Sequence, residues 1–109
     1  MVSMTKKIRY SRRVVKALME NYHELETTLV DANPYHMNPM YDYTMAVERV
    51  DLSPLERKVF EVRYPMNDVC PNGLETSHIV GVDPAYISRI CDSIFDKIFE
   101  EMNRGLADV

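Results

Sequence analysis

One stretch of the sequence, Thr76 to Ile90, constrains the fold more than any other, because it combines a turn signal with helical spacing on both sides. Gly81 stands between two valines, and a small residue, Ser77, precedes it by four positions. Asp83 followed by Pro84 is typical of a helix start, since the carboxylate accepts from free amide groups and proline pre-sets the first turn. The pattern predicts two helices that cross at Ser77 and are joined by a tight turn at Gly81.

This spacing of small, turn and apolar residues is that of a helix-turn-helix, in which the second helix enters the major groove of DNA. Upstream, Ser53, Pro54 and Glu56 have the spacing of a capping box, which predicts the start of a further helix. The predicted helices of this module are Pro54 to Tyr64, Leu74 to Val80 and Pro84 to Met102.

From Leu52 to about Phe99 the chain resembles the promoter-reading domain of bacterial sigma factors known as region four. The resemblance rests on the strings LSPLERKVFEVRY and GLETSHIVGVDPAYISRI. The chain is also similar to small phage transcriptional regulators that share this module, the ArpU family in particular, which carry a basic helix ahead of it. The resemblance implies a small transcriptional regulator, phage-encoded, that binds promoter DNA and acts with RNA polymerase or a sigma factor.

Charge is distributed unevenly along the chain. Six of the 13 basic residues lie in residues 1–16, which contain no acid, and the other 93 residues carry seven basic and all 17 acidic residues, a net charge of −10. Such a basic segment is typical of contact with nucleic-acid phosphates; the alternative is a solvated helix start that only aids solubility. The residues predicted to contact phosphate are Lys6, Lys7, Arg9, Arg12, Arg13 and Lys16.

Apolar residues at three- and four-residue spacing predict an N-terminal helix from Ile8 to about Val30. Its apolar stripe must be covered, either by the C-terminal module or by a second copy of the chain in a homodimer. Two Asn-Pro pairs predict a loop from Asp31 to Tyr43, and a short helix is expected from about Thr44 to Val50. The expected fold class is therefore all-α, with a basic N-terminal helix ahead of a three-helix module.

The connector between these parts is rich in Tyr and Met. Its side chains either seal the core or form an adaptable contact surface for a protein partner. The candidate residues for that surface are Tyr35, Met37, Met40 and Tyr41. The predicted organisation is a basic helix in 1–31, a connector with a short helix in 32–51, a helix-turn-helix domain in 52–103 and a tail in 104–109.

The start of the last predicted helix holds the candidate DNA contacts, because in a helix-turn-helix these turns face base edges. Arg89 suits a bidentate contact with a guanine, and Tyr86 and Ser88 suit contact with a phosphate or a base. Ala85 suits contact with a thymine methyl group. The full set predicted to contact bases or the backbone is Pro84, Ala85, Tyr86, Ser88 and Arg89.

The acidic body of the chain leaves a second function open. Sigma factors usually carry several charged residues in this turn, whereas here only Arg89 is basic, and acids follow it along the same helix. Phosphate contacts supply most nonspecific affinity for DNA, so such acids would repel a duplex that they faced. The alternative is a sigma-domain mimic that binds RNA polymerase or a sigma factor without reading DNA. The acids concerned are Asp92, Asp96, Glu100 and Glu101.

Other classes of function are disfavoured. The sequence has no nucleophile elbow and no glycine-rich phosphate loop, with only 3 Gly in total, so neither an enzyme nor a cofactor is expected. Cys70 and Cys91 belong to no CxxC motif, which argues against a metal site, and Cys91 falls on the apolar stripe. The sequence contains no run long enough for a membrane span and no signal core, which predicts a cytoplasmic protein, in the bacterial host if phage-encoded.

Overall fold

The computed structural model describes residues 10–31, 39–66 and 68–107. Within these residues the chain forms five helices and no strand, so the prediction of an all-α fold is confirmed. The helices are α1 (Arg12–Asp31), α2 (Pro39–Arg49), α3 (Pro54–Arg63), α4 (Gly73–Val80) and α5 (Pro84–Ala107).

α1 begins at Arg12, so the predicted start at Ile8 is wrong. The reason is Ser11, whose Oγ accepts a hydrogen bond from the amide of Val14 at 3.2 Å. A serine before a helix satisfies a donor that has no partner inside the first turn, and this favours a helix start directly after it. Further along, α1 is kinked at Asn21, whose backbone angles (φ −130°, ψ 28°) are not helical.

α2 begins at Pro39, so the loop predicted for Asp31 to Tyr43 is wrong from Pro39 onward. Proline is tolerated at the first helical position, because the N–H that it lacks would have no partner there. Met40 and Tyr43 lie on one face of α2 and are buried. Pro39 disfavours helix in the residue before it but is compatible with the first turn of a helix. Burial of the face that carries Met40 and Tyr43 stabilises α2.

Two capping boxes begin the next two helices. The predicted box is present: Ser53 Oγ accepts from the Glu56 amide at 3.1 Å, and Glu56 Oε1 accepts from the Ser53 amide at 2.9 Å. Asn72 and Glu75 make the same reciprocal pair ahead of α4, at 2.8 and 3.0 Å. This second box moves the start of α4 one residue before the predicted one, to Gly73.

α4 and α5 are joined at Gly81, which adopts the left-handed conformation with φ 82° and ψ 32°. Its amide donates to the Ser77 carbonyl at 2.8 Å, and this ends α4. Asp83 Oδ2 then accepts from the Ala85 amide at 3.0 Å, as expected for a residue that caps the next helix. Thr76 is polar and fully buried. Its burial is tolerated because its hydroxyl donates a hydrogen bond to the Asn72 carbonyl at 2.9 Å.

α5 extends to Ala107, so its predicted end at Met102, with a tail from residue 104, is wrong. The stabilising contact is Asn103, which is buried and pairs with the backbone of Tyr10. Its Oδ1 accepts from the Tyr10 amide at 2.9 Å, and its Nδ2 donates to the Tyr10 carbonyl at 3.2 Å. The end of α5 is thus held by the segment before α1, which lies 93 positions away in the chain.

α5 is the element on which the other helices pack. It contacts α1, α2, α3 and α4, while α1 also contacts α2 and α3 contacts α4. Within the described residues, α1 and α3 both lie on α5 without packing on each other. The apolar stripe of α1 is covered by the same chain over Val15, Leu18 and Met19, which are buried. The apolar face of α5 that forms the centre of the core consists of Ile87, Ile90, Ile94, Ile98 and Met102.

Candidate nucleic-acid interface

The first turns of α5 present all of the predicted DNA contacts to solvent. Pro84, Ala85, Tyr86, Ser88 and Arg89 are exposed, with Tyr86 49% exposed although it is aromatic. Ile87 and Ile90 come from the same turns and are buried. The isoleucines pack into the core, and their helical spacing leaves the other residues of these turns on the solvent-exposed face.

On one side of these turns α5 is held against the start of α3 by Glu56. Besides its capping role, this carboxylate accepts from Lys97 Nζ and from Ser93 Oγ, each at 2.7 Å. Burial alone would raise the pKa of Glu56, but the hydrogen bonds from Lys97, the Ser53 amide and Ser93, with the charge of Lys97, lower it to about 2. Glu56 thus stays ionised and fixes the orientation of α5. The shallow surface beside it is lined by Tyr86 and Arg89.

On the other side α5 and α1 border a cleft of about 460 Å³. Pro84 and Ser88 line it from α5, and three predicted phosphate contacts line it from α1. α1 is antiparallel to α5. Tyr10 pairs with Asn103 and Arg12 pairs with Asp96, so the contacts move towards the start of α5 as α1 proceeds. The basic residues from α1 that line the cleft are Arg12, Arg13 and Lys16, whereas Lys6, Lys7 and Arg9 lie outside the described residues.

Arg12 serves to attach α1 to α5. Its guanidinium pairs with Asp96 at 2.8 Å and lies over the rings of Phe95 and Phe99, 4.7 and 5.1 Å from their centroids. Cation–π contacts of this kind contribute about 0.5 to 1 kcal/mol at exposed sites. Arg13 and Lys16, by contrast, are exposed and make no ion pair with any described residue.

The acids of α5 differ in how far they are neutralised. Asp96 is paired with Arg12, and Glu101 is paired with Arg104 at 3.3 Å. Asp92 lines the cleft and Glu100 is exposed, and neither makes an ion pair within the described part of the chain. The acids that would repel a duplex are thus partly compensated, Asp96 by a cation 84 positions away and Glu101 by a cation one turn further along the same helix.

Arg63 is a member of the cleft that sequence reasoning missed. It lies in the last turn of α3 and reaches the cleft from the side opposite to α1. Only 19% of its side chain is exposed, and its guanidinium lies 4.7 Å from the centroid of the Tyr64 ring. No local pattern marks it, because its approach to α1 exists only once both helices pack on α5.

The predicted partner surface is divided by the fold. Met40 is only 5% exposed and belongs to the core, so it cannot contribute to a contact surface. The reason is its position on the inner face of α2, a helix where a loop was expected. Tyr41 is 59% exposed on the outer face of α2. Tyr35 and Met37 lie outside the described residues.

Neither cysteine has the setting of a reactive or metal-binding thiolate. Burial raises the pKa of Cys70 and of Cys91 above the ordinary value, although the charge of Arg63 acts in the opposite direction on both. Among the residues that the structure describes, no group of three or more potential ligands is placed to hold a metal ion.

Compared with known proteins, the chain matches no protein-family model, and neither the comparison with curated proteins nor that with solved structures found a significant match. None of the helices in the described ranges is both long and apolar enough to cross a membrane.

Proposed function

We propose that α4, the turn at Gly81 and α5 act as a helix-turn-helix that binds double-stranded DNA. In this proposal the first turns of α5 enter the major groove, and the protein is a small transcriptional regulator that acts with RNA polymerase. The observation that carries the proposal is the exposed set Pro84 to Arg89, interrupted only by the buried Ile87. A helix seated in this way presents side chains to base edges without disturbing its own core.

The distribution of cations supports the same function. Arg13 and Lys16 lie on the cleft side of α5, and Arg89 lies on the opposite side, beside the start of α3. A helix in the major groove has a phosphate backbone on either side of it, so cations on both flanks suit this docking. Arg12 in turn reduces the repulsion that Asp96 would exert on a duplex.

The test is selection from a pool of random DNA duplexes, followed by affinity measurements over a salt series. We expect Arg89→Ala to relax sequence preference and to cost about 1 to 3 kcal/mol on the selected site. Lys16→Gln should weaken binding to all sequences and lower the salt slope by about 1. Arg49→Gln, which removes an exposed cation of α2, is the matched control and should change neither quantity. Equal binding by wild type and both site variants would contradict the proposal.

A second candidate function is a sigma-domain mimic that binds RNA polymerase or a sigma factor without reading DNA. Exposed apolar side chains on α4 favour it, namely Leu74 at 56% and Ile79 at 63% exposure. A phosphate backbone has no use for such groups, whereas a protein interface buries them. Binding of purified polymerase that is lost in Ile79→Ser and retained in Arg89→Ala would favour this function over the first.

A further inference from the structure

The cleft exists because α1 and α3 pack on the same helix and not on each other. Its lining combines apolar atoms from α5 with the largely covered side chain of Arg63 from α3 and the exposed cations of α1. A volume of about 460 Å³ is within the range of small-molecule sites, which are concave and mostly apolar with a few convergent polar groups. The cleft therefore has the size of a ligand site, and its lining is more polar than is usual for one.

Arg63 is the feature that indicates what such a ligand must supply. Four fifths of its side chain is covered, yet its guanidinium donates no hydrogen bond to any described residue. The nearest carboxylate oxygen, on Glu20, is 3.9 Å away, which is too long for a hydrogen bond. The Arg63 nitrogens are not among the buried polar atoms that lack a partner, so they reach solvent, and an anion in the cleft could accept hydrogen bonds from them in place of water.

The charges around Arg63 also favour an anion. Among the described residues four cations line the cleft, whereas the carboxylates that line it are those of Glu20 and Asp92. Of these cations Arg12 is engaged by Asp96, which leaves Arg13 and Lys16 to act together with Arg63. Arg13 and Lys16 come from one wall and Arg63, which also forms a long ion pair with Glu20, comes from the other, so a ligand between them would be contacted from two sides. Ser88 adds a hydroxyl at the same place.

We propose that this cleft binds a small phosphate-bearing anion, with Arg63 at its base and Arg13 and Lys16 at its rim. The chemistry recognised is a phosphate group, which a free polyphosphate or a DNA backbone could supply. Arg63 selects the first of these, because a recessed guanidinium is reached by a small anion that enters the cleft and not by the convex surface of a duplex. The proposal does not rest on DNA binding by α5.

The experiment is a titration of the full-length protein with inorganic pyrophosphate, followed by amide chemical shifts in ¹H–¹⁵N spectra at constant ionic strength. We expect saturable shifts at the cleft, at Gly73, Ser88 and Cys91, and a dissociation constant about tenfold or more weaker in Arg63→Gln. The double variant Arg13→Gln/Lys16→Gln should weaken binding as well, and it keeps the test valid if Arg63→Gln does not fold. Lys58→Gln, an exposed cation of α3 outside the cleft, is the matched control and should leave the constant unchanged.

The outcomes separate this proposal from DNA binding. Saturable pyrophosphate binding that depends on Arg63 supports a small-anion site, whatever the protein does with DNA. Shifts that never saturate, or that Lys58→Gln reduces as much as the cleft variants, would overturn it. If pyrophosphate fails while Lys16→Gln still weakens duplex binding, the cleft cations belong to the DNA surface and the small-anion site is wrong.

Discussion

Glu56 connects two helices through one carboxylate. It caps α3 at Ser53 and holds α5 at Ser93 and Lys97. Because its pKa in the folded protein, about 2, lies below the ordinary value of 4.5, the ionised form stabilises the fold. This contribution is fully present above pH 4.5 and is lost as the pH falls from 4.5 towards 2. Its stabilising effect therefore operates at neutral pH.

From this we predict that Glu56→Gln lowers the free energy of unfolding by about 1 to 3 kcal/mol at pH 7, since Lys97 is 42% exposed and its charge is partly screened. Urea denaturation at pH 7 and at pH 2.5 measures the effect, and the difference from wild type should shrink at the lower pH. Glu61→Gln, on an exposed position of the same helix, is the control and should have little effect at either pH. A difference of the same size at both pH values would contradict this account.

Tyr43 is a buried residue whose hydroxyl group is unsatisfied within the described structure. It is fully buried beside Tyr22, and its hydroxyl has no hydrogen-bond partner among the described residues. Burial raises its pKa strongly, so the phenol remains neutral. We predict that Tyr43→Phe leaves the free energy of unfolding unchanged or raises it by up to about 1 kcal/mol, because an unsatisfied group is removed without a cavity.

Tyr22→Phe is the matched control for Tyr43→Phe. The Tyr22 hydroxyl hydrogen-bonds to Thr44 Oγ1 at 3.2 Å, so the same deletion should lower the free energy of unfolding by about 0.5 to 1.5 kcal/mol. Thermal and urea denaturation measure both variants. A loss of stability in Tyr43→Phe as large as that in Tyr22→Phe would show that the Tyr43 hydroxyl has a partner.

At the scale of the elements, the turn between α4 and α5 depends on backbone conformation and not on space. A Cβ at Gly81 would meet nothing within 4 Å, but φ of +82° strains any L-residue. We predict that Gly81→Ala lowers the free energy of unfolding by about 1 to 2 kcal/mol. Gly73→Ala offers the contrasting control: it too has nothing within 4 Å but lies at the start of α4 without positive φ, and should be neutral or stabilising.

The elements also show where a local signal is ambiguous. The capping box of Ser53 and Glu56 and the turn at Gly81 were predictable, because each is made by residues within four positions of one another. Pro39 is ambiguous in the sequence, because proline disfavours helix before itself and suits the first turn of a helix after itself. Whether a helix follows is decided by burial of Met40 and Tyr43, which requires α1 and α5.

At the scale of the whole molecule, Asn103 joins the segment before α1 to the end of α5. It makes two hydrogen bonds with the Tyr10 backbone, and Nδ2 also donates to the Phe99 carbonyl at 3.1 Å. The hydroxyl of Tyr10 in turn donates to Asp42 of α2. We predict that Asn103→Ala lowers the free energy of unfolding by about 2 to 3 kcal/mol.

Hydrogen exchange locates the effect of Asn103→Ala, which should accelerate exchange in the first turns of α1 more than in α3. Arg104→Ala is the control, because it removes a 65% exposed side chain whose ion pair with Glu101 contributes little. Uniform acceleration in α1 and α3 would show that the loss is global and that Asn103 does not act through Tyr10. Deletion of residues 1–16 would remove core residues such as Tyr10 and Val15, so loss of DNA binding after that deletion would not by itself implicate the basic residues.

The sequence by itself determined the helical class, the caps at Ser53 and Asp83, the turn at Gly81 and the residues that α5 exposes. These features depend on neighbours within one or two turns, so hydrophobic period and hydrogen-bond geometry are sufficient. Only the tertiary structure decided that Arg12 neutralises Asp96, that Met40 is core and that Arg63 reaches the cleft. Those contacts join residues tens of positions apart, and their geometry is set by how α1, α2 and α3 share the surface of α5.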